Sequence, residues 1–254
     1  MLNEKDWELI RNKIKNTFNN NDEITFIKQF PNSSFFEDHL TNSNIIRIPL
    51  ICINVDIEKS KNKISQFGIE TWVKIQSQFI NGVSAILLKY GAKNIKPYLD
   101  SIQGLFPVSL KSDIDNAMDC AFEINTFKYL LNYELSKLIP EFNYVEDDLE
   151  LNFGIGLWYS SDNYVTKLIS QSQEMLFMGD SINYAHFLSK KAARTNYVSI
   201  LFNDAIYNNL TDEYRNNDMF ECIHYNNSKS IDIYGSRRIY KDFLEWIKKN
   251  ENNF

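Results

Sequence analysis

The chain is short of the residues that staple small secreted proteins and build metal centres. Its 254 residues contain three cysteines, Cys52, Cys120 and Cys222. An odd number at wide spacing excludes a disulfide framework and predicts reduced thiols filling the core of a cytoplasmic protein. The three histidines, His39, His186 and His224, show no ligand spacing, which argues against zinc. No apolar run approaches the roughly 18 residues of a membrane helix. The segment Met1 to Asp6 lacks the basic-then-apolar pattern of a signal peptide. Positive charge is also in deficit: 27 basic against 33 acidic side chains leave a net charge of −6. That argues against a general nucleic-acid binder while leaving room for a local basic patch, and the basic-aromatic tail from Arg237 reads as an amphipathic closing element in preference to a nucleic-acid contact. The chain has no internal repeat and no low-complexity tract.

What is present is the material of a large core. Apolar residues make up 44% of the chain and aromatics 14%, while charged residues are only 24%, so one folded domain and not a disordered chain is expected. Residues 1–44 read as an N-terminal helix, with Trp7, Ile10, Ile14 and Phe18 at helical spacing, followed by a turn-rich connection. From Ile46 to Ile57 the sequence is β-branched and nearly all apolar, as in a strand buried on both faces. Trp72, Ile75, Phe79, Val83, Ile86 and Tyr90 mark one side of a long helix. Asn94–Tyr98 and Ser101–Phe106 are two short strands in a tight hairpin. Ser112-Asp113-Ile114-Asp115 resembles a capping box that opens a second long helix, stopped by Pro140. Strands follow at Leu149–Tyr159 and Met175–Met178, then a helix to about Ala193. Further strands are expected at Tyr197–Phe202, Phe220–Tyr225 and Ile231–Tyr234, and a strand and helix between Arg237 and Lys249. The order predicts an α+β fold, a ferredoxin-like βαββαβ core with extra C-terminal strands and helices.

Two aspartates stand out. Asp56 ends the first buried strand, where a carboxylate is costly unless it is paired or binds a cation. Asp100 sits in the hairpin turn. In a ferredoxin-like sheet these strands are neighbours, so both carboxylates can face one point. Such a pair suits Mg²⁺ or Mn²⁺ clamped onto a substrate phosphate. Taken singly, a strand-end cap and an ordinary turn residue explain them as well.

Four segments come in order: Val55-Asp56-Ile57; Lys96, Asp100-Ser101, Gln103 and Phe106-Pro107; Phe153-Gly154-Ile155-Gly156; and Gly179-Asp180-Ser181-Ile182-Asn183 with Ala185 and Leu188. This series, over about residues 46–240, resembles the catalytic domain of class III nucleotidyl cyclases. The stretch Asp100 to Pro107 is most similar to the Pycsar pyrimidine cyclases of bacterial anti-phage defence. The resemblance implies a cyclase domain at 45–254 and two metal ions held by Asp56, Asp100 and the carbonyl of Ile57. It implies ribose orientation by Asn183 and base reading by Lys96 and Leu176. It also implies a homodimer with shared sites, UTP or CTP as substrate, and an effector protein that senses the cyclic product.

The pattern shows three departures, at Leu99, at Phe187 and at Leu157-Trp158. Leu99 replaces the glycine before the second aspartate. Phe187 stands where many members carry a transition-state arginine, with Lys190, Lys191, Arg194, Arg237 and Arg238 as the available cations. Leu157-Trp158 follows the glycine pair in place of a further glycine. Leu176 stands where adenylate cyclases place an aspartate and offers no acceptor to an adenine amine, which disfavours ATP. The departures leave two alternatives, a degenerate domain that senses nucleotide without turning it over and a purine nucleotide cyclase.

Overall fold

The computed structural model describes residues 25–26, 45–58, 60–142, 144–145, 148–167, 175–194, 198–215, 219–223, 232–241 and 245. The expected N-terminal helix and the tail beyond Lys241, apart from Glu245, lie outside them. The long strand β2 (Ile46–Ile57) is buried over nearly its whole length and splits its side chains between two cores. Ile51, Ile53, Val55 and Ile57 pack on one face against two helices, α2 (Ile69–Lys89) and α3 (Lys111–Leu138). Leu50 and Cys52 pack on the other face against a third helix, α4 (Asp180–Arg194). The alternation follows from the two-residue period of a strand, and each helix buries one apolar face.

The sheet is built outward from β2. On one side lies β4 (Ser101–Pro107), antiparallel, and beyond it β3 (Asn94–Pro97). On the other side lies β7 (Phe153–Lys167), antiparallel, then β9 (Ile200–Asn203), β11 (Ile233–Ser236) and β10 (Glu221–Ile223). The core order β7-β2-β4-β3, with α2 and α3 on one face, is the expected ferredoxin-like α+β arrangement with extra C-terminal strands. Among the described residues no helix is long and apolar enough to cross a membrane.

Several local expectations need correction. Within the stretch read as connection, β1 (Thr25–Phe26) pairs in parallel with the start of β2. A short helix, α1 (Ser60–Phe67), precedes α2. The α3 helix is capped at Leu110, not at Ser112. Asp113 Oδ2 accepts from the backbone N–H groups of Ser109 and Leu110 at 2.7 and 2.8 Å, so it closes the helix start as the third helical residue. The strand expected at Leu149–Tyr159 begins at Phe153 and runs on to Lys167, where it pairs with β8 (Met175–Gly179). Two short strands, β5 (Tyr144–Val145) and β6 (Asp148–Leu149), form a separate hairpin. After β9 come the short helices α5 (Asp204–Asn209) and α6 (Asp212–Arg215). Cys52 and Cys120 are buried as expected, but Cys222 is exposed because it lies on β10 at the sheet edge.

Candidate active site

The end of β2 becomes polar on one face only. Leu50, Cys52, Asn54 and Asp56 share the face toward α4, and each is buried. Across the sheet Asn54 is paired with Gln103 on β4, and Gln103 with Lys96 on β3, while Asp56 is paired with Ser101. Cross-strand partners share a face, so these residues form one polar strip.

Asp56 and Asp100 come together as their strands require. The three-residue turn Tyr98-Leu99-Asp100 reverses the chain, with the Tyr98 N–H bonded to the Ser101 carbonyl at 2.7 Å. The Ile57 N–H donates to the Asp100 carbonyl at 2.9 Å, which locks the turn against the end of β2. Leu99 is 88% exposed, so a side chain in the glycine's place meets no core there, and its carbonyl accepts from Gln76. The Asp100 carboxylate accepts from Ser60 Oγ at 3.0 Å. Asp56 is 6% exposed, and its Oδ2 is buried without a hydrogen-bond partner. Burial, and then the charge of Asp100, push the Asp56 carboxyl up to about 6, against the pull of Lys190 and Arg194.

A buried, unpartnered carboxylate oxygen facing a second carboxylate is the donor set of a hard divalent cation, so the residues fit the metal expected from the sequence. Among the described residues no group of three or more His, Cys, Asp or Glu side chains gathers here or elsewhere. The remaining ligands would therefore be oxygens of the backbone, as at Ile57, of water or of a phosphate.

The other expected site residues fall into separate groups. Lys96 is half-buried, and its Nζ lies 3.5 Å from the Met175 carbonyl, next to Leu176 at the start of β8. Lys96 is thus brought to the start of the strand that carries Leu176. Asn183 is exposed in the first turn of α4. Among the described residues no hydrogen bond joins it, Lys96 or Leu176 to either carboxylate. Phe187 is 44% exposed, with Lys191 Nζ 4.9 Å from its ring centroid.

Sequence reasoning assigned no role to Asn54, Ser60, Gln103 or Ser189, which lie on the elements around the carboxylates. Asn54 donates to Ser189 Oγ at 2.7 Å and lies 3.4 Å from His186 Nδ1. Ser60 holds Asp100, and Gln103 completes the strip between Asn54 and Lys96. The strand period was the available signal for Asn54, two residues before Asp56.

No protein-family model matches the chain. It is 24% identical over 248 residues to the uridylate cyclase of Treponema porcinum, a match covering 96% of this chain and 81% of that protein. Among solved structures it is similar to the adenylyl cyclase CyaB from P. aeruginosa, with a TM-score of 0.60 and 17% identity over 76% of this chain and 95% of that one. The guanylate cyclase domain of RhGC from Catenaria anguillulae in complex with GTP gives a TM-score of 0.53 and 15% identity, over 75% of this chain and 96% of that one.

Proposed function

From a fold shared with class III cyclase domains, we propose that this chain is a nucleotide cyclase. It would convert UTP, or CTP, to the 3′,5′-cyclic nucleotide and pyrophosphate. One observation carries the reading: Asp56, with its orphaned buried oxygen, stands beside Asp100 where strand end and hairpin turn meet. Metal ions bound there would lower the pKa of the ribose 3′-hydroxyl and offset charge on the phosphates. The 3′-oxygen attacks the α-phosphorus as the bond to the bridging oxygen breaks, the hydroxyl proton passes to solvent, and pyrophosphate leaves. Asp56, Asp100 and the Ile57 carbonyl would hold the metals, Ser60 keeps Asp100 oriented, and Asn183 would orient the ribose.

Lys96, whose Nζ reaches the start of β8, and Leu176 on that strand would read the base. Leu176 leaves an adenine amine without an acceptor, a loss of roughly 1–3 kcal/mol of discrimination if that amine is buried. The pyrimidine preference is supported by this leucine, by the Asp100–Pro107 segment and by the name of the Treponema relative. The same resemblance supports a role as a second-messenger source in anti-phage defence, with an effector protein that senses the product.

The test is to incubate the pure protein with Mn²⁺ and each ribonucleoside triphosphate and identify the products. Cyclic UMP or cyclic CMP is expected, and Asp56→Ala or Asp100→Ala should abolish it while circular dichroism is unchanged. Mainly cyclic AMP would refute the pyrimidine preference, and wild-type rates in either variant would refute the metal site. The exposed Phe187, in the place of an arginine, favours a second reading as a nucleotide sensor. Nucleotide binding without any cyclic product would select it.

A further inference from the structure

One face of α4 carries two cationic side chains, Lys190 and Arg194, in line with His186, whose protonation burial disfavours. His186, Lys190 and Arg194 recur at every fourth position and therefore line up along the helix. The line borders the carboxylates. Asn54 joins the helix through Ser189 and His186. Gly154, the strand partner of Asp56, lies directly beneath the turn from Ser189 to Ala193. Lys190 and Arg194 both act on the Asp56 charge, and His186 senses Lys190 and Asp100. Neither Lys190 nor Arg194 forms an ion pair with another described residue, whereas the neighbouring Lys191 lies over the Phe187 ring. Like charges four residues apart weakly destabilise an isolated helix, and an anion beside them offsets that repulsion.

The carboxylates supply that negative charge only until cations bind them. A nucleoside triphosphate carries about four negative charges at neutral pH, which two divalent ions would offset. Asp56 and Asp100 then leave about two negative charges over, and Lys190 and Arg194 match them. A flexible ammonium and a planar guanidinium side by side are suited to non-bridging phosphate oxygens. Phe187 withholds a cation one turn earlier in the helix, so the positive charge on this face sits toward the Asp56 end.

We propose that Lys190 and Arg194 hold the triphosphate of the substrate, and then the departing pyrophosphate, from the same protomer that supplies Asp56 and Asp100. The identity of the substrate rests on the nucleotide-cyclase reading; the polyphosphate site does not. The experiment therefore omits the nucleoside. Magnesium tripolyphosphate is titrated calorimetrically into wild type, Lys190→Met, Arg194→Met, the double variant and the charge-preserving Lys190→Arg, with cyclase kinetics run in parallel.

Each neutral variant should weaken tripolyphosphate binding about tenfold, and the double variant more, with melting temperatures unchanged. Lys190→Arg should stay within about threefold of wild type. Pyrophosphate inhibition should weaken in step with tripolyphosphate binding. Binding in the double variant equal to wild type overturns the proposal, as does a wild type that binds no tripolyphosphate. If binding is lost in the double variant while wild type cyclises no nucleotide, the polyphosphate site stands and the cyclase reading falls. If wild type cyclises and the double variant binds tripolyphosphate normally, the reverse holds.

Discussion

Asp56 is held at the expense of the chain's own stability. Its carboxyl ionises near 6 in the folded state against an ordinary value of 3.8. The folded state therefore binds more protons than the unfolded one between those values, and stability falls as pH rises through that window. Below it the protonated acid costs little; above it a buried charge faces a second carboxylate. Asp56→Asn should therefore raise the melting temperature of the metal-free protein at pH 7 while abolishing activity, and the gain should vanish at pH 4. Mn²⁺ should raise the melting temperature of wild type far more than that of the variant, and its affinity should drop below about pH 6 as Asp56 takes up its proton. Thermal melts at the two pH values, with and without Mn²⁺, check both; equal responses in the two proteins would remove Asp56 from the metal site. The two aspartates were legible because a charge at the end of an apolar strand and a charge in a hairpin turn are anomalies that topology alone brings together. Asn54 was not, since an amide within a strand also satisfies backbone or solvent, and only its bond to Ser189 on α4 shows what it faces.

At the scale of elements, the position of α4 depends on two missing side chains. A Cβ on Gly156 would lie 2.1 Å from the Ala185 carbonyl oxygen and 2.4 Å from the Ser189 nitrogen. One on Gly154 would lie 2.1 Å from the Ala193 nitrogen. These are backbone atoms, which cannot rotate away, so the helix would have to lift off β7. Gly156→Ala should cost about 3 kcal/mol or more and displace Ser189 and Lys190 from the carboxylates. Urea unfolding measures the loss; a variant as stable as wild type would mean that α4 sits farther out than the structure places it. The glycine pair was visible in the sequence, but its purpose was not, because an interrupted strand pattern reads equally as a bulge or as room for a packed neighbour. The core order was legible from plain signals: an unbroken apolar run in β2, an apolar helical period in α2, the tight spacing of the hairpin strands, and a capping pattern and Pro140 around α3. Elements without such a signal escaped. Only two residues of β1 pair with a neighbour, α1 exposes most of its surface, and the second half of β7 is too polar around Ser160 to Asn163 to announce a strand.

For the whole molecule, the decisive relation is between the three groups that one chain keeps apart. Asn183 lies in the first turn of α4, whereas the stretch of that helix packed over Gly154, the strand partner of Asp56, lies six to ten positions later, about 9–15 Å along the axis. Lys96 meets β8, not the carboxylates. Each group occurs once in the 254 residues. A two-fold dimer would reunite them, with the carboxylates of one protomer facing Asn183, Lys96 and Leu176 of the other, and would create two equivalent sites. Complementation tests this. Mixing inactive Asp56→Ala with inactive Asn183→Ala gives heterodimers with one doubly damaged site and one intact site, so random exchange should restore about a quarter of wild-type activity. Mixing Asp56→Ala with the double variant Lys190→Met/Arg194→Met should restore none above the sum of the parents, because those cations belong to the protomer that carries the carboxylates. In that heterodimer one site lacks Asp56 and the other lacks its cations. Rescue in the second mixture would move Lys190 and Arg194 across the interface. Demonstrated exchange without rescue in the first would show that each chain builds its site alone.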